Sequence, residues 1–149
     1  MRSAAILGQA DVPKVRGLTH VKARARSLAG YVEVCGVQCV PIFDGEYLCD
    51  LYATTWVGPH TDEVIGDVTL GIVIAGDHYL FTGNGRRVGD LIPGTVFALL
   101  NKRMHGAYAR DMKRPKPLIF AACEPKVPAE DWRWFCADVS KNLKEKENG

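Results

Sequence analysis

Trp56-Val57-Gly58-Pro59-His60-Thr61-Asp62-Glu63 is the stretch on which the reading of this chain turns. A histidine and a carboxylate stand two residues apart at the mouth of a strongly apolar run. A second histidine, His105, follows another β-like run downstream. On an extended segment, residues i and i+2 project to the same side, so His60 and Asp62 can each offer one ligand atom to a common metal. A His-X-Asp pair with one distant histidine is the ligand inventory of a facial-triad iron site, which keeps open positions for substrate and oxygen. The plainer alternative is that His60 caps a loop, Asp62 takes backbone hydrogen bonds and His105 is an ordinary half-buried histidine. Glu63 is a rival carboxylate that an extended chain turns to the other side. His78 follows Asp77 in a turn and is expected as a solvated or core-edge histidine. His20 is given no role.

The flanking sequence decides whether His105 can return to this stretch. Downstream, Val68, Leu70, Ile72 and Ile74 share one face of a strand, and Thr69, Gly71 and Val73 the other. Turn signals follow at Gly76-Asp77, at the hairpin dipeptide Asn84-Gly85 and at Gly89-Asp90, with a strand opening at His78. Thr95 to Leu100 is a further strand, then Asn101 to Met104 turns the chain into His105-Gly106-Ala107-Tyr108-Ala109. Leu118 to Cys123 is a final buried strand. Upstream, Val32 to Ile42 is a β-rich run broken near Gly36. Pro41 within it demands an edge or a bulge. Asp44-Gly45 is a hairpin signal. Beyond it Tyr47, Cys49 and Leu51 share one face, while Asp50 and Tyr52 lie on the opposite one.

About eight short strands at close spacing imply a mainly β sandwich or barrel. The period then changes. Trp132, Phe135, Cys136, Val139 and Leu143 fall at helical spacing and predict an amphipathic helix that covers one sheet face. The expected organisation is therefore a basic N-terminal arm or edge elements over 1–30, a β core over 31–127, a helix over 128–145 and a frayed tail over 146–149. Within the arm, Val21 to Leu28 has the pattern of a short helix. Trp132 and Trp134 are both expected in the core.

Composition narrows the classes. The chain has 149 residues, 47% hydrophobic and 24% charged, with a formal charge of only +2, so it is not a polyanion binder by bulk charge. Positive charge is nevertheless concentrated in the arm, at Lys14, Arg16, Lys22, Arg24 and Arg26, so nucleic acid is a partner the arm permits. No aromatic residue is interleaved there before Tyr31. Arg86, Arg87, Lys102 and Arg103, expected on loops, add to the case for an anionic substrate. Five cysteines, an odd number with no C-x-x-C pair, read as small apolar residues in a reducing, cytoplasmic setting. No apolar run reaches membrane-spanning length, and no signal-peptide pattern opens the chain. A homo-oligomer is compatible with this composition. No phosphate-binding or dinucleotide-binding glycine pattern occurs.

Two segments carry a resemblance to a known family. Gly58-Pro59-His60-Thr61-Asp62 resembles the His-X-Asp segment of the Fe(II)/2-oxoglutarate-dependent dioxygenases. Gly89 to Phe97 followed by Met104-His105-Gly106-Ala107 resembles their segment leading into the distal histidine. The resemblance covers roughly residues 45–124. It implies a double-stranded β-helix (jelly-roll) with His60, Asp62 and His105 as ligands of Fe(II), and 2-oxoglutarate as co-substrate. A basic residue on the strand after the distal histidine would grip the far carboxylate. Arg114, Lys116 and Arg110 are the candidates, Arg114 leading because an arginine fork matches a carboxylate. The implied reaction is hydroxylation, or demethylation through hydroxylation.

The cupins share that architecture and are the close competitor. Gly89-Asp90 and Pro93-Gly94 resemble their second motif, though Asp62 stands where a cupin usually has a second histidine. The sequence therefore leaves three functions open. They are an iron oxygenase, a cupin-like metal-dependent enzyme or small-molecule-binding protein, and a non-catalytic β protein whose basic arm holds nucleic acid or an acidic partner.

Overall fold

The computed structural model describes residues 3–13, 32–34, 37–42, 47–62 and 66–148. Its elements in chain order are β1 (Ala4–Gln9), β2 (Val32–Val34), β3 (Val37–Ile42), β4 (Tyr47–Thr54), β5 (Val57–His60), β6 (Val68–Ala75), β7 (His78–Thr82), β8 (Arg87–Leu91), β9 (Thr95–Leu100), β10 (His105–Ala109), β11 (Leu118–Cys123) and α1 (Trp132–Asn148). The strands form two antiparallel sheets. The larger has the order β1-β9-β6-β11-β4-β3-β2 and the smaller β5-β10-β7-β8. The protein is thus mainly β with one C-terminal helix. The predicted basic arm helix, the Asp44-Gly45 turn, His20 and Glu63 lie outside the described residues.

Both faces of β6, β9 and β11 in the large sheet are covered, and period-two alternation sorts their residues. Leu51, Leu70, Ile72, Val96 and Ile119 pack with Trp132, Phe135, Val139 and Leu143 of α1. Val73, Phe97, Leu99 and Leu118 point the other way and meet Leu80, Leu91 and Ala107 of the small sheet. Each such aliphatic or aromatic side chain contributes about 1.5–3 kcal/mol on full burial. The double coverage explains why β6 and β9 read as almost continuous apolar runs. The helix takes the expected register, with Trp132 in the core. Trp134 is 68% exposed, which corrects its placement there, because it falls two residues from Trp132 on a 3.6-residue turn.

Further differences have local causes. The helix, expected over 128–145, spans Trp132–Asn148, consistent with the good helix formers and alternating charges of its end. Gly89-Asp90, expected as a turn, lies inside β8. A Cβ on Gly89 would stand 2.6 Å from Ile6 Cγ1, so that glycine serves the close approach of β1 rather than a reversal. The reversal comes at Gly94, where φ is 89° and a Cβ would lie 2.7 Å from the Ala10 carbonyl oxygen. Pro41 sits as its strand allows: β2 pairs only with Val37–Cys39, so among the described residues β3 is an edge at Pro41.

Candidate metal centre

β5 and β10 are neighbours in the small sheet, and His60 is paired directly with His105. The register shifts between His105 and Ala107, and the intervening Gly106 has no room for a side chain. A Cβ there would collide with the Phe81 ring and lie 2.6 Å from the Val57 carbonyl oxygen and 2.9 Å from that of Gly58. Pro59 occupies an edge strand, the only kind that tolerates its missing N–H.

Asp62 follows β5 and is returned to the histidines by a backbone bond, its N–H donating to the Asn101 carbonyl oxygen at 2.8 Å. Asn101 is fully buried. Its side chain accepts from Thr69 Oγ1 at 2.6 Å and donates to the Gly66 carbonyl at 3.0 Å. Its own N–H donates to the Asp67 carbonyl at 2.9 Å. One side chain therefore ties the segment after Asp62 to the turn that leads into His105. From its sequence context Asn101 is expected only as a turn residue. A buried amide in that turn shows its role only once the distant partners are in place.

The three expected ligands converge. His60 Nε2 lies 3.1 Å from Asp62 Oδ1, and His105 Nε2 lies 3.1 Å from Asp62 Oδ2. One ligand atom from each residue falls within 4.8 Å of the others. Donors about 2.1 Å from a common ion and at right angles stand roughly 3 Å apart, and each histidine has about that separation from one of the two Asp62 oxygens. His105 is buried, whereas His60 and Asp62 are partly open. The hydrogen bond with His105 holds the Asp62 carboxyl below the usual carboxylate range. Charge on His105 and His60 acts in the same direction, and partial burial opposes it.

The remaining ring nitrogens sharpen this. His60 Nδ1 lies 2.9 Å from the Gly58 carbonyl oxygen, and His105 Nδ1 lies 3.0 Å from that of Arg103. A carbonyl accepts only, so each Nδ1 carries the hydrogen. In a neutral ring that leaves Nε2 as a lone pair. Both Nε2 atoms nevertheless face a carboxylate, another acceptor. The cluster is satisfied by a cation at the point of convergence or by a second proton on the rings. Backbone carbonyls that fix the imidazole tautomer in this way are the usual outer support of a metal-binding histidine.

The centre opens into a cavity of about 510 Å³ between the sheets. Its walls are mainly apolar, with Val57, Leu80, Phe97 and Phe120 among them. Tyr52 stacks on Phe120, with ring centroids 5.5 Å apart, and donates to Asp50 Oδ2 at 3.2 Å. The aromatic and carboxylate lining was not singled out from sequence, although the alternation of Asp50 and Tyr52 opposite Cys49 and Leu51 did place them on one face.

The expected 2-oxoglutarate anchors are not brought together with the metal ligands. Arg110 lies at the far end of β10 from His105 and pairs outside with Asp77 and Asp90, both at 2.9 Å. Those two carboxylates hold its guanidinium pKa above the ordinary value. Arg114 and Lys116 are exposed on the connection before β11. β11 itself turns Leu118, Phe120 and Ala122 into the cavity, and no lysine or arginine lines it among the described residues. His78 is also displaced from its expectation. It is completely buried, accepting from the Asp77 N–H at 3.0 Å and donating from Nε2 to the Thr55 carbonyl at 2.7 Å. Those bonds engage both ring nitrogens, and Ala109, its partner on β10, stands four residues beyond His105.

Comparison with protein-family models, with curated proteins and with solved structures finds no match for this chain. Among the described residues, no helix is long and apolar enough to cross a membrane.

Proposed function

We propose that this chain is a mononuclear metal enzyme of the non-haem Fe(II) kind, with His60, Asp62 and His105 as the metal ligands. The observation that carries the reading is the paired arrangement of nitrogens: Nδ1 of each ring committed to a carbonyl, Nε2 of each turned to Asp62. Two imidazoles and one carboxylate with open positions favour Fe(II) over the softer-ligand metals. A double-stranded β-helix is the proposed architecture. In its support, successive strands from β4 to β11 alternate between the two sheets, except that β7 and β8 are adjacent in one.

A metal in this centre supplies Lewis acidity and exchangeable positions for oxygen or substrate. The chain's own residues do the rest. The Gly58 and Arg103 carbonyls hold the histidine tautomers. Asp62 balances charge, and the apolar walls orient a substrate with a hydrophobic body and exclude water. Where 2-oxoglutarate is the co-substrate, its oxidative decarboxylation supplies the two electrons that hydroxylation or demethylation of a substrate C–H bond requires; without it, the proposed oxidation is one in which both atoms of oxygen enter the substrate.

The lining of β11 favours the cupin-like form of this reading over the 2-oxoglutarate-dependent one. A dicarboxylate co-substrate needs a cation for its far end, and Leu118, Phe120 and Ala122 occupy the inward positions of that strand. The test is anaerobic reconstitution with Fe(II), followed by 2-oxoglutarate and then oxygen. Tight Fe(II) uptake without a new visible absorption on adding 2-oxoglutarate supports the cupin-like form. Uptake with such a band and succinate release establishes the dioxygenase instead. Failure to take up Fe(II) removes both.

A further inference from the structure

The outer face of the small sheet carries a pattern that the metal centre does not use. Val57, Leu80 and Ala107 face the cavity, so alternation turns Tyr79, Phe81 and Tyr108 outward. Trp56, just before β5, lies 6.1 Å from Tyr108 of β10. Tyr108 lies 6.0 Å from Tyr79 of β7. The guanidinium of Arg87, on β8, stands 4.9 Å over the Tyr79 ring. This row runs from the residue before β5 across β10 and β7 to β8, in sheet order. Phe81 lies beneath it, stacked on Tyr108 at 4.4 Å. Trp56 is the most open of the rings, 47% exposed, whereas Tyr79 and Tyr108 are half-buried and Phe81 is buried.

Positive charge lies toward the end of these strands where Thr82 pairs with His105, three residues along from the Tyr79–Tyr108 pair. The β7–β8 turn and the turn before His105 enclose a groove of about 490 Å³, lined by Arg86, Lys102 and Arg103 together with Thr82, Asn84 and Ser3. All three cations are exposed, and none forms an ion pair with a described residue. The acids of the same face are neutralised: Asp90 pairs with Arg87 and Arg110, and Asp77 with Arg110.

We propose that this face binds single-stranded nucleic acid, its bases against Trp56 and the neighbouring tyrosines and its phosphates along Arg86, Lys102 and Arg103. Aromatic side chains beside a cationic groove are the recurring means of holding a single strand, because every base has a stacking face and every phosphate a charge. A neutral polysaccharide would use the rings but leave the cations idle. A duplex would meet the cations but keep its bases away from the rings. The surface lies outside the cavity, and its occupancy does not depend on a metal.

The test is fluorescence anisotropy of a labelled oligothymidylate with the full chain, in chelator, over a range of salt. Binding should weaken with salt. An R86A/K102A/R103A variant should lower the log–log salt slope by roughly 2, since each phosphate contact on a single strand contributes about 0.7. Trp56→Ala should weaken binding on the order of tenfold and leave that slope unchanged. Trp134→Ala, on the helix that covers the other sheet, should change neither. All these positions are exposed, so the variants retain the fold. The proposal is overturned if oligothymidylate does not bind at low salt, or if duplex DNA or heparin binds equally well without dependence on Trp56. Binding that survives both the triple variant and Trp56→Ala overturns it as well.

Discussion

His60 and His105 face each other directly across two neighbouring strands, and each turns Nε2 to a different oxygen of Asp62 at 3.1 Å. Each also commits Nδ1 to a carbonyl two residues back in its own chain, Gly58 for His60 and Arg103 for His105. The same local device occurs on both strands, and the consequences of this symmetry can be measured.

Replacing Asp62 by Asn keeps the side chain's shape and removes its charge. An amide is a poor ligand beside two neutral imidazoles, so divalent-metal affinity should fall by more than the 10- to 100-fold typical of losing an outer-shell partner. Calorimetric titration of the chelator-stripped protein measures this. Unchanged affinity would mean that the carboxylate is not a ligand.

Asn101→Leu removes the side-chain tie between the segment after Asp62 and the turn before His105. It leaves Thr69 Oγ1 and the Gly66 carbonyl without their present partner. The expected loss is about 2–4 kcal/mol of stability, read as a shift of the urea midpoint. The bond that holds Asp62, from its N–H to the carbonyl of residue 101, is backbone and survives the substitution, so metal affinity of the folded protein should fall less than in Asp62→Asn.

Two glycines should respond differently to alanine. At Gly106 the added Cβ meets backbone oxygens of Val57 and Gly58 as well as the Phe81 ring. The substitution should cost at least the 1–3 kcal/mol usual for overpacking, and trimming Phe81 should not rescue it. At Gly71 the nearest atoms all belong to the Phe97 ring. Gly71→Ala should therefore be rescued in large part by Phe97→Leu. Thermal melts of the four variants decide this.

Cys136 has its thiol pushed up to about 11 by burial. At pH 8 only about one molecule in a thousand would carry the thiolate, so alkylation by iodoacetamide should be slow and should accelerate steeply toward pH 11. The sign for stability follows. The fold retains a proton that the unfolded thiol releases near pH 8.5, so stability is intact below that value and declines as pH rises through 11. Cys136→Ser should remove that part of the alkaline decline. Mass spectrometry of labelled peptides and alkaline unfolding curves measure the two effects.

These outcomes also mark what was legible in the sequence. Alternation identified which face Cys49, Leu51, Asp50 and Tyr52 take, and helical spacing identified the buried face of α1. Both patterns are local. The intervening hairpins make an approach of His105 to His60 possible without fixing it, and the two residues are strand partners in the structure. Asn101 was not recognisable, because its four partners, Asp62, Gly66, Asp67 and Thr69, lie 32 to 39 residues away. Gly89 was misread as a turn because the residue that requires it, Ile6, sits in an N-terminal strand with no strong pattern of its own. Arg110 is the third of the anchor candidates that the dioxygenase resemblance implies, after Arg114 and Lys116. A strand end fixes neither face nor depth, and two surface carboxylates engage it instead.

The central claim is that His60, Asp62 and His105 form one metal site. Its most direct test is equilibrium binding of Fe(II), under anaerobic conditions, to the stripped protein and to His60→Ala, Asp62→Ala and His105→Ala variants that keep the native circular dichroism. The account predicts one tightly bound ion per chain, lost in all three variants. A protein that binds no stoichiometric metal, or variants that bind it as well as the parent, would contradict it.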